Sequence, residues 1–216
     1  MNWVKEIKNH TFKKYSQCGE EGYLNFIFDN IDVKNNFCVE FGAGDGEHLS
    51  NTKYFRELGW RSLLIDSQES EDEKIYQSKI TKDNIVGIFE KFGVPNNFDL
   101  LSIDIDGNDY WVLEEILSKY NPRVIIAEFN ASITESLAIE YNENHEWKGN
   151  NYFGFSLEAG KVLAKKYGYE VIFQNDDLNM YLVKKELLGD LEIDEVTCQH
   201  VVSFPIDVFS KWVEIK

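Results

Sequence analysis

Cysteine is scarce in this chain. Cys18, Cys38 and Cys198 are an odd number without CxxC spacing, which excludes a disulfide framework or a zinc ribbon and points to a reducing, cytoplasmic setting. Cys38 lies inside an apolar run and is expected to be a small, inert core residue. Proline is scarcer still for the length: three residues, none marking an interdomain linker, so one domain over residues 1–216 is expected. No apolar run approaches the ~18 residues of a membrane span. The first eight residues, Met1 to Lys8, lack the apolar stretch of a secretory signal.

Positive charge is also in short supply. Against 38 Asp and Glu stand 22 Lys and Arg, a formal charge of -16. That balance opposes docking on nucleic acid or anionic lipid, both of which require basic groups to neutralise phosphate. Solubility is the plain cause of such an excess. With 43% hydrophobic and 14% aromatic residues the chain can still bury a full core.

Apolar runs of strand length alternate with segments of helical spacing. Strands are predicted at 37–41, 61–66, 98–105, 123–128, 169–173 and 180–183, with a weaker one at 78–80. Helices are predicted at 47–58, 85–92 with Asp83 as N-cap, 109–117 and 156–167, after an N-terminal helical segment within 1–36. This alternation implies an α/β fold, a doubly wound and mostly parallel sheet with helices on both faces. Between Asn130 and Asn151 the periodicity fails, and a long substrate-facing loop, at most with one short helix, is expected.

The most telling stretch is Phe37-Cys-Val-Glu-Phe-Gly-Ala-Gly-Asp-Gly46, a strand leading into glycines at 42, 44 and 46. Glycine permits positive φ and close ligand approach. A dinucleotide fingerprint would space its glycines GxGxxG and place a pyrophosphate on the next helix. Here Glu40, Asp45 and Glu47 flank the loop instead, and carboxylates favour a cation such as the ammonium and sulfonium of S-adenosylmethionine. Asp66, about 20 residues on, is placed to accept the hydroxyls of a ribose. Glu40 would balance the ammonium group or hold loop amides.

Ligands of doubly wound sheets bind beyond the carboxyl ends of the strands, where this sequence sets Glu40, Asp66, Asp104, Asp106, Glu128 and Asn130. Asp104 and Asp106 are expected on one side of an extended strand. Three uses stay open: an oxygen site for Mg²⁺ or Mn²⁺ built by Asp104, Glu128 and Asn130; a general base without metal; or one acid to the cofactor and the other to the helix at 109. His145 is a candidate base and, as a lone loop histidine, equally a surface residue. His48 is expected near the cofactor, Trp60 and Trp111 in the core, and Trp147 as a substrate or adenine platform.

Tyr15-Ser-Gln-Cys-Gly-Glu-Glu21, the glycine loop with Ser50-Asn-Thr52, Leu63-Leu-Ile-Asp66, Asp99 to Tyr110 and Ile126-Ala-Glu-Phe-Asn130 together resemble the FkbM-like S-adenosylmethionine-dependent methyltransferases over residues 15–185. The resemblance implies a seven-stranded Rossmann-like methyltransferase sheet and O-methylation of a small molecule or sugar. It implies that Glu40, Gly42, Ala43, Gly44, Asp66 and Asp104 hold the donor, while Asp104, Asp106, Glu128 and Asn130 face the acceptor or a metal. Ile80 follows Asp66 by only 14 positions, so an open adenine side is expected. The rival readings are an NAD-dependent oxidoreductase or epimerase, disfavoured by the missing GxGxxG, and a non-catalytic donor-binding module. DNA amino-methylation is disfavoured because Asp-Ile-Asp-Gly stands in place of the Asn- or Asp-Pro-Pro-Tyr tetrad that would hold a flipped base.

Overall fold

Alternate residues along the central strands are committed to two different apolar layers in the computed structural model, which describes residues 2–70 and 74–216. Strand β1 (Phe37–Phe41) sends Phe37, Val39 and Phe41 to one side and Cys38 to the other. The same alternation holds in β4 (Leu100–Ile103), where Leu101 and Ile103 oppose Leu100, and in β5 (Val124–Glu128), where Ile125 and Ala127 oppose Val124 and Ile126. A strand apolar on both faces must be covered on both, and helices do this. Helices α3 (Ile85–Phe92), α4 (Asp109–Lys119) and α5 (Leu157–Lys166) supply one layer; α1 (Glu20–Ile31), α2 (Lys53–Glu57) and a 3-10 helix (Trp3–Asn9) supply the other.

With β2 (Arg61–Asp66), β3 (Ile75–Gln77), β7 (Tyr169–Asn175) and β8 (Asn179–Lys184), the seven-stranded sheet has the order β3-β2-β1-β4-β5-β8-β7. Neighbours from β3 to β5 pair in parallel. Strand β8 alone opposes its neighbours, pairing antiparallel with β5 and β7. The short link 176–178 between β7 and β8 leaves room only for a hairpin, so the sheet is mostly parallel with one reversed strand. The chain order reverses at β1 and β4, which puts the crevice for a ligand above the glycine loop.

Several boundaries differ from the expectation. The helix after β1 is only Lys53–Glu57, because residues 47–52 are held in a loop by side-chain hydrogen bonds to Asp45 and Glu40. The third strand is Ile75–Gln77 and not 78–80. Asn84, not Asp83, precedes α3; its Oδ1 accepts from Thr81 N at 2.9 Å, while Asp83 accepts from the Tyr141 hydroxyl at 3.2 Å. The stretch from 130 to 151 contains no helix but a strand, β6 (Leu137–Ile139), paired antiparallel with β9 (Trp212–Glu214) near the C-terminus. A final helical turn, α6, spans Lys185–Leu188. Among the described residues the three cysteines are free, and no helix is long and apolar enough to cross a membrane.

Candidate active site

The glycine loop is shaped by both its backbone and its acids. Gly42, Gly44 and Gly46 have φ of 66°, 54° and 71°, the left-handed region that other residues enter at a cost. Gly42 is further constrained: a Cβ there would collide with the carbonyl oxygen of Asp104, just past β4. Ala43 N donates to Ile65 O at 3.2 Å, tying the loop to β2. Asp66 Oδ2 accepts from Gly44 N at 2.8 Å and Oδ1 from Gln68 N at 2.8 Å, so this acid brings the loop and its own strand end together.

Glu40 is buried and directed inward. Its carboxylate accepts from Ser50 Oγ at 2.7 Å, Asn51 N at 2.7 Å and Thr52 Oγ1 at 2.6 Å, which makes it the loop-stabilising acceptor. Burial raises its pKa, with these hydrogen bonds pulling the other way. Asp45 accepts from the amides of Glu47 and His48 and lies 2.5 Å from His48 Nδ1; both side chains are exposed. The contact with His48 holds the Asp45 carboxyl well below its usual range and raises the imidazole. His48 is thereby spent on the loop's outer edge.

The second group is a cluster of acids at the ends of β4 and β5. Strand β4 runs only from Leu100 to Ile103, shorter than the predicted 98–105, and Asp104 and Asp106 lie beyond it. Instead Asp109 Oδ1 accepts from Ile105 N and Oδ2 from Gly107 N, both at 2.8 Å, folding the segment into a turn in which Asp106 has φ 52°. Asp104 and Asp106 therefore do not project from one strand face; the turn converges them. One oxygen each from Asp104, Asp106 and Glu128 lies within 4.8 Å of the others.

Such crowding is costly unless a proton or cation enters. Asp104 and Asp106 are exposed to solvent, both lining an open cleft, and Glu128 is half-buried. Desolvation by the surrounding protein, then the charges of Asp109 and Asp106, push the Asp104 carboxyl up to about 7. Burial and the Asp104 charge raise Glu128 well above its ordinary value, and burial raises Asp109 to about 6. Asp106 is raised by desolvation and partly relieved by His145. The pair Asp104 and Glu128 thus can hold one proton between two carboxyls near neutral pH.

A cleft of about 580 Å³ opens over these groups, lined by Gly42, Asp66, Lys79, Asp104, Asp106, His145 and Trp147 among others. His145 stacks so close over Gly107 that a Cβ at 107 would be 2.5 Å from its Cδ2, and its buried Nε2 has no hydrogen-bond partner among the described residues. Burial lowers the His145 pKa, which favours the neutral ring. Trp147 Nε1 donates to Asn150 O at 2.7 Å, and its ring meets Phe204 edge-on at 4.9 Å. Trp60 is buried, and Trp111 donates to Ile139 O at 2.8 Å. Burial pushes the Cys38 thiol up to about 12, leaving it inert.

Asn130 is not brought into the acid cluster. Its Nδ2 donates to Asn151 O at 2.8 Å and Phe153 O at 3.0 Å, and its Oδ1 accepts from Ser132 N and Oγ, so both ends of the amide clasp the following loop. A second cleft of about 350 Å³ lies beyond Glu128. Sequence reasoning missed it, because Cys18, Asp176, Asp177 and Phe204 come from remote segments; the Asp176-Asp177 turn between two apolar strands was the one available signal.

The methyltransferase FkbM domain model matches residues 30–171. No curated protein matches the chain significantly. Solved structures similar to it include a putative ribosomal RNA methyltransferase from Plasmodium falciparum, 11% identical, covering 75% of this chain and 91% of that one with a TM-score of 0.42. Another is the E. cuniculi Mtq2-Trm112 complex responsible for methylation of the eRF1 translation termination factor, at 9% identity, 78% and 96% coverage and a TM-score of 0.35. A SAM-dependent methyltransferase from Aquifex aeolicus matches at 9% identity, 83% and 96% coverage and a TM-score of 0.34.

Proposed function

The chain belongs to the FkbM methyltransferase domain family, and on that premise we propose that it uses S-adenosylmethionine to methylate a hydroxyl of a small molecule or sugar. One observation carries the reading: Gly42, Asp66 and Asp104, from the ends of three neighbouring strands, line a single cleft, and Glu128 of the next strand sets a carboxylate oxygen within 4.8 Å of Asp104. The cleft wall carries Asp66, Asp104 and Asp106 against one lysine, Lys79, which suits a donor bearing ammonium and sulfonium charges. Asp66 fits a ribose: each of its oxygens receives one amide and retains acceptor capacity for a hydroxyl.

S-adenosylmethionine supplies an activated methyl on a sulfonium sulfur, so the protein's part is alignment and removal of one proton. The acceptor oxygen attacks the methyl carbon as the carbon–sulfur bond breaks toward sulfur. The hydroxyl proton passes to the Asp104–Glu128 pair, whose raised affinity for a proton matches a base working near neutral pH. His145 sits beside Asp106 with a free ring nitrogen and serves as a positioning group at the rim.

Calorimetric titration with S-adenosylhomocysteine and NAD tests the donor. Binding of the former and not the latter is expected; NAD binding alone would move the chain to the oxidoreductase reading. A second use of the same oxygens, ligation of Mg²⁺ or Mn²⁺, is favoured by the 4.8 Å spacing of Asp104, Asp106 and Glu128. Titration with Mg²⁺ alone separates the two uses, since a base-only site gives no heat that Asp104→Asn removes.

A further inference from the structure

Asp104 lines the larger cleft and Glu128 the second one, while an oxygen of each lies within 4.8 Å of the other across the seam between β4 and β5. The pair therefore borders both pockets. A donor on one side and a hydroxyl on the other would meet at the groups assigned to take the proton.

Part of the second cleft's wall comes from outside the matched family span. Cys18, Asp176, Asp177 and Phe204 all fall outside residues 30–171, the span of the family domain. They are not loosely placed. Glu20 Oε1 accepts from Asn175 Nδ2 and Asn179 Nδ2, each at 3.2 Å, fastening the β7–β8 hairpin to the start of α1. Asp177 Oδ1 accepts from Gln199 N at 2.9 Å, and Val201 N donates to Ala131 O at 3.3 Å, which seats the C-terminal segment along the opposite rim.

The charge of this lining is one-sided. Its acidic residues are Glu128, Asp176 and Asp177, and no lysine, arginine or histidine lines it among the described residues. Lys13 influences the Cys18 thiol from outside the lining. Apolar surface comes from Phe129, Phe153 and Phe204. A phosphate or carboxylate entering here would face three acids without a cationic partner, whereas an ammonium would find acceptors and a sugar ring a flat apolar wall.

We propose that the second cleft is the acceptor site and that its terminal walls select a hydroxyl compound bearing an ammonium group, accept a neutral one less well, and exclude phosphorylated or carboxylated ones. This rests on the methyltransferase reading above.

Cys18 provides the probe. In a Cys198→Ala background, with Cys38 buried, Cys18 is the reactive thiol. Its modification rates with trimethylammonium and sulfonate methanethiosulfonates are compared with those of free cysteine. We expect the cationic reagent to be favoured about 10-fold more than by free cysteine, since a one-sign cleft concentrates counter-ions by at least that factor. Asp176→Asn with Asp177→Asn should remove the preference. Glucosamine and glucose, titrated by ligand-observed NMR into protein saturated with S-adenosylhomocysteine, should bind in that order and glucose 6-phosphate not at all, and labelling of Cys18 should block both sugars while S-adenosylhomocysteine still binds.

Equal reagent rates, binding of none of the sugars, tightest binding of the phosphate, or sugar binding that survives labelling would each overturn the proposal. Loss of S-adenosylhomocysteine only after labelling would overturn the division into two clefts. Failure of the unlabelled protein to bind it would instead sink the donor assignment.

Discussion

Gly42, at the end of β1, backs directly onto the main-chain carbonyl of Asp104, at the end of β4, with no space between them for one more carbon. The loop that receives the donor and the acid that receives the proton are thus positioned by the same contact. Gly42→Ala would carry two costs: a left-handed backbone at φ 66°, of about 1–2 kcal/mol, and displacement of Asp104. Gly44→Ala meets open space and carries only the first. Thermal melts and S-adenosylhomocysteine titration should show Gly42→Ala the weaker on both measures. Equal losses in the two variants would mean that the contact does not govern the site.

Asp104→Asn should lower kcat by about 10²- to 10⁴-fold, the usual worth of a general base, while S-adenosylhomocysteine affinity changes little. Glu128→Gln should behave similarly, and the double variant should be no worse than the more damaged single one, because the pair acts as a unit. Additive losses in single-turnover rates would assign the two acids separate roles.

The same pair predicts opposite pH trends for activity and stability. The Asp104 carboxyl is raised to about 7 from an ordinary value of 3.8. A base must be deprotonated, so the methyl-transfer rate should climb through pH about 7. Between pH about 4 and 7 the folded state holds a proton that the unfolded state has released, so stability falls as pH rises across that window. In urea titrations, Asp104→Asn should flatten this slope and be relatively more stable at pH 8 than at pH 4. An unchanged slope would place the shared proton elsewhere. The larger stability at low pH of an inactive form is the signature of an active site under strain.

The strand ends were legible because buried parallel strands announce themselves as short apolar runs. Residues 37–41 and 61–66 match β1 and β2, and the acids 66, 104 and 128 do stand at one edge of the sheet. What failed was whatever depended on one side chain reaching across the chain. Glu40 captures Ser50, Asn51 and Thr52, and the helix that periodicity extends back to 47 begins only at Lys53. Asp109 gathers the amides of 105 and 107 and turns Asp106 out of the strand. The β6–β9 pair has three residues on each side, and its halves are some seventy residues apart, too short for a period and too distant for a local signal.

At the opposite end of the sheet, stability and site should be separable. Asp99 is fully buried just before β4 and accepts from the amides of Lys34 at 2.9 Å, Asn35 at 2.7 Å and Asn36 at 2.8 Å, and from Arg123 Nη1 at 3.0 Å. Arg123 in turn donates to the carbonyls of Ile31 and Asp32. One ion pair therefore binds the end of α1, the entry to β1 and the starts of β4 and β5. Asp99→Ala leaves a buried guanidinium and three amides without their acceptor and should cost about 3–5 kcal/mol in urea unfolding. Arg123→Met with Asp99→Asn should recover part of that loss, because no charge is left buried alone. The fraction that folds should bind S-adenosylhomocysteine with wild-type affinity, since the binding cleft lies at the other end of these strands. Weakened binding in proportion to lost stability would instead mean that the sheet transmits strain from Asp99 to Asp104 along β4, five residues away.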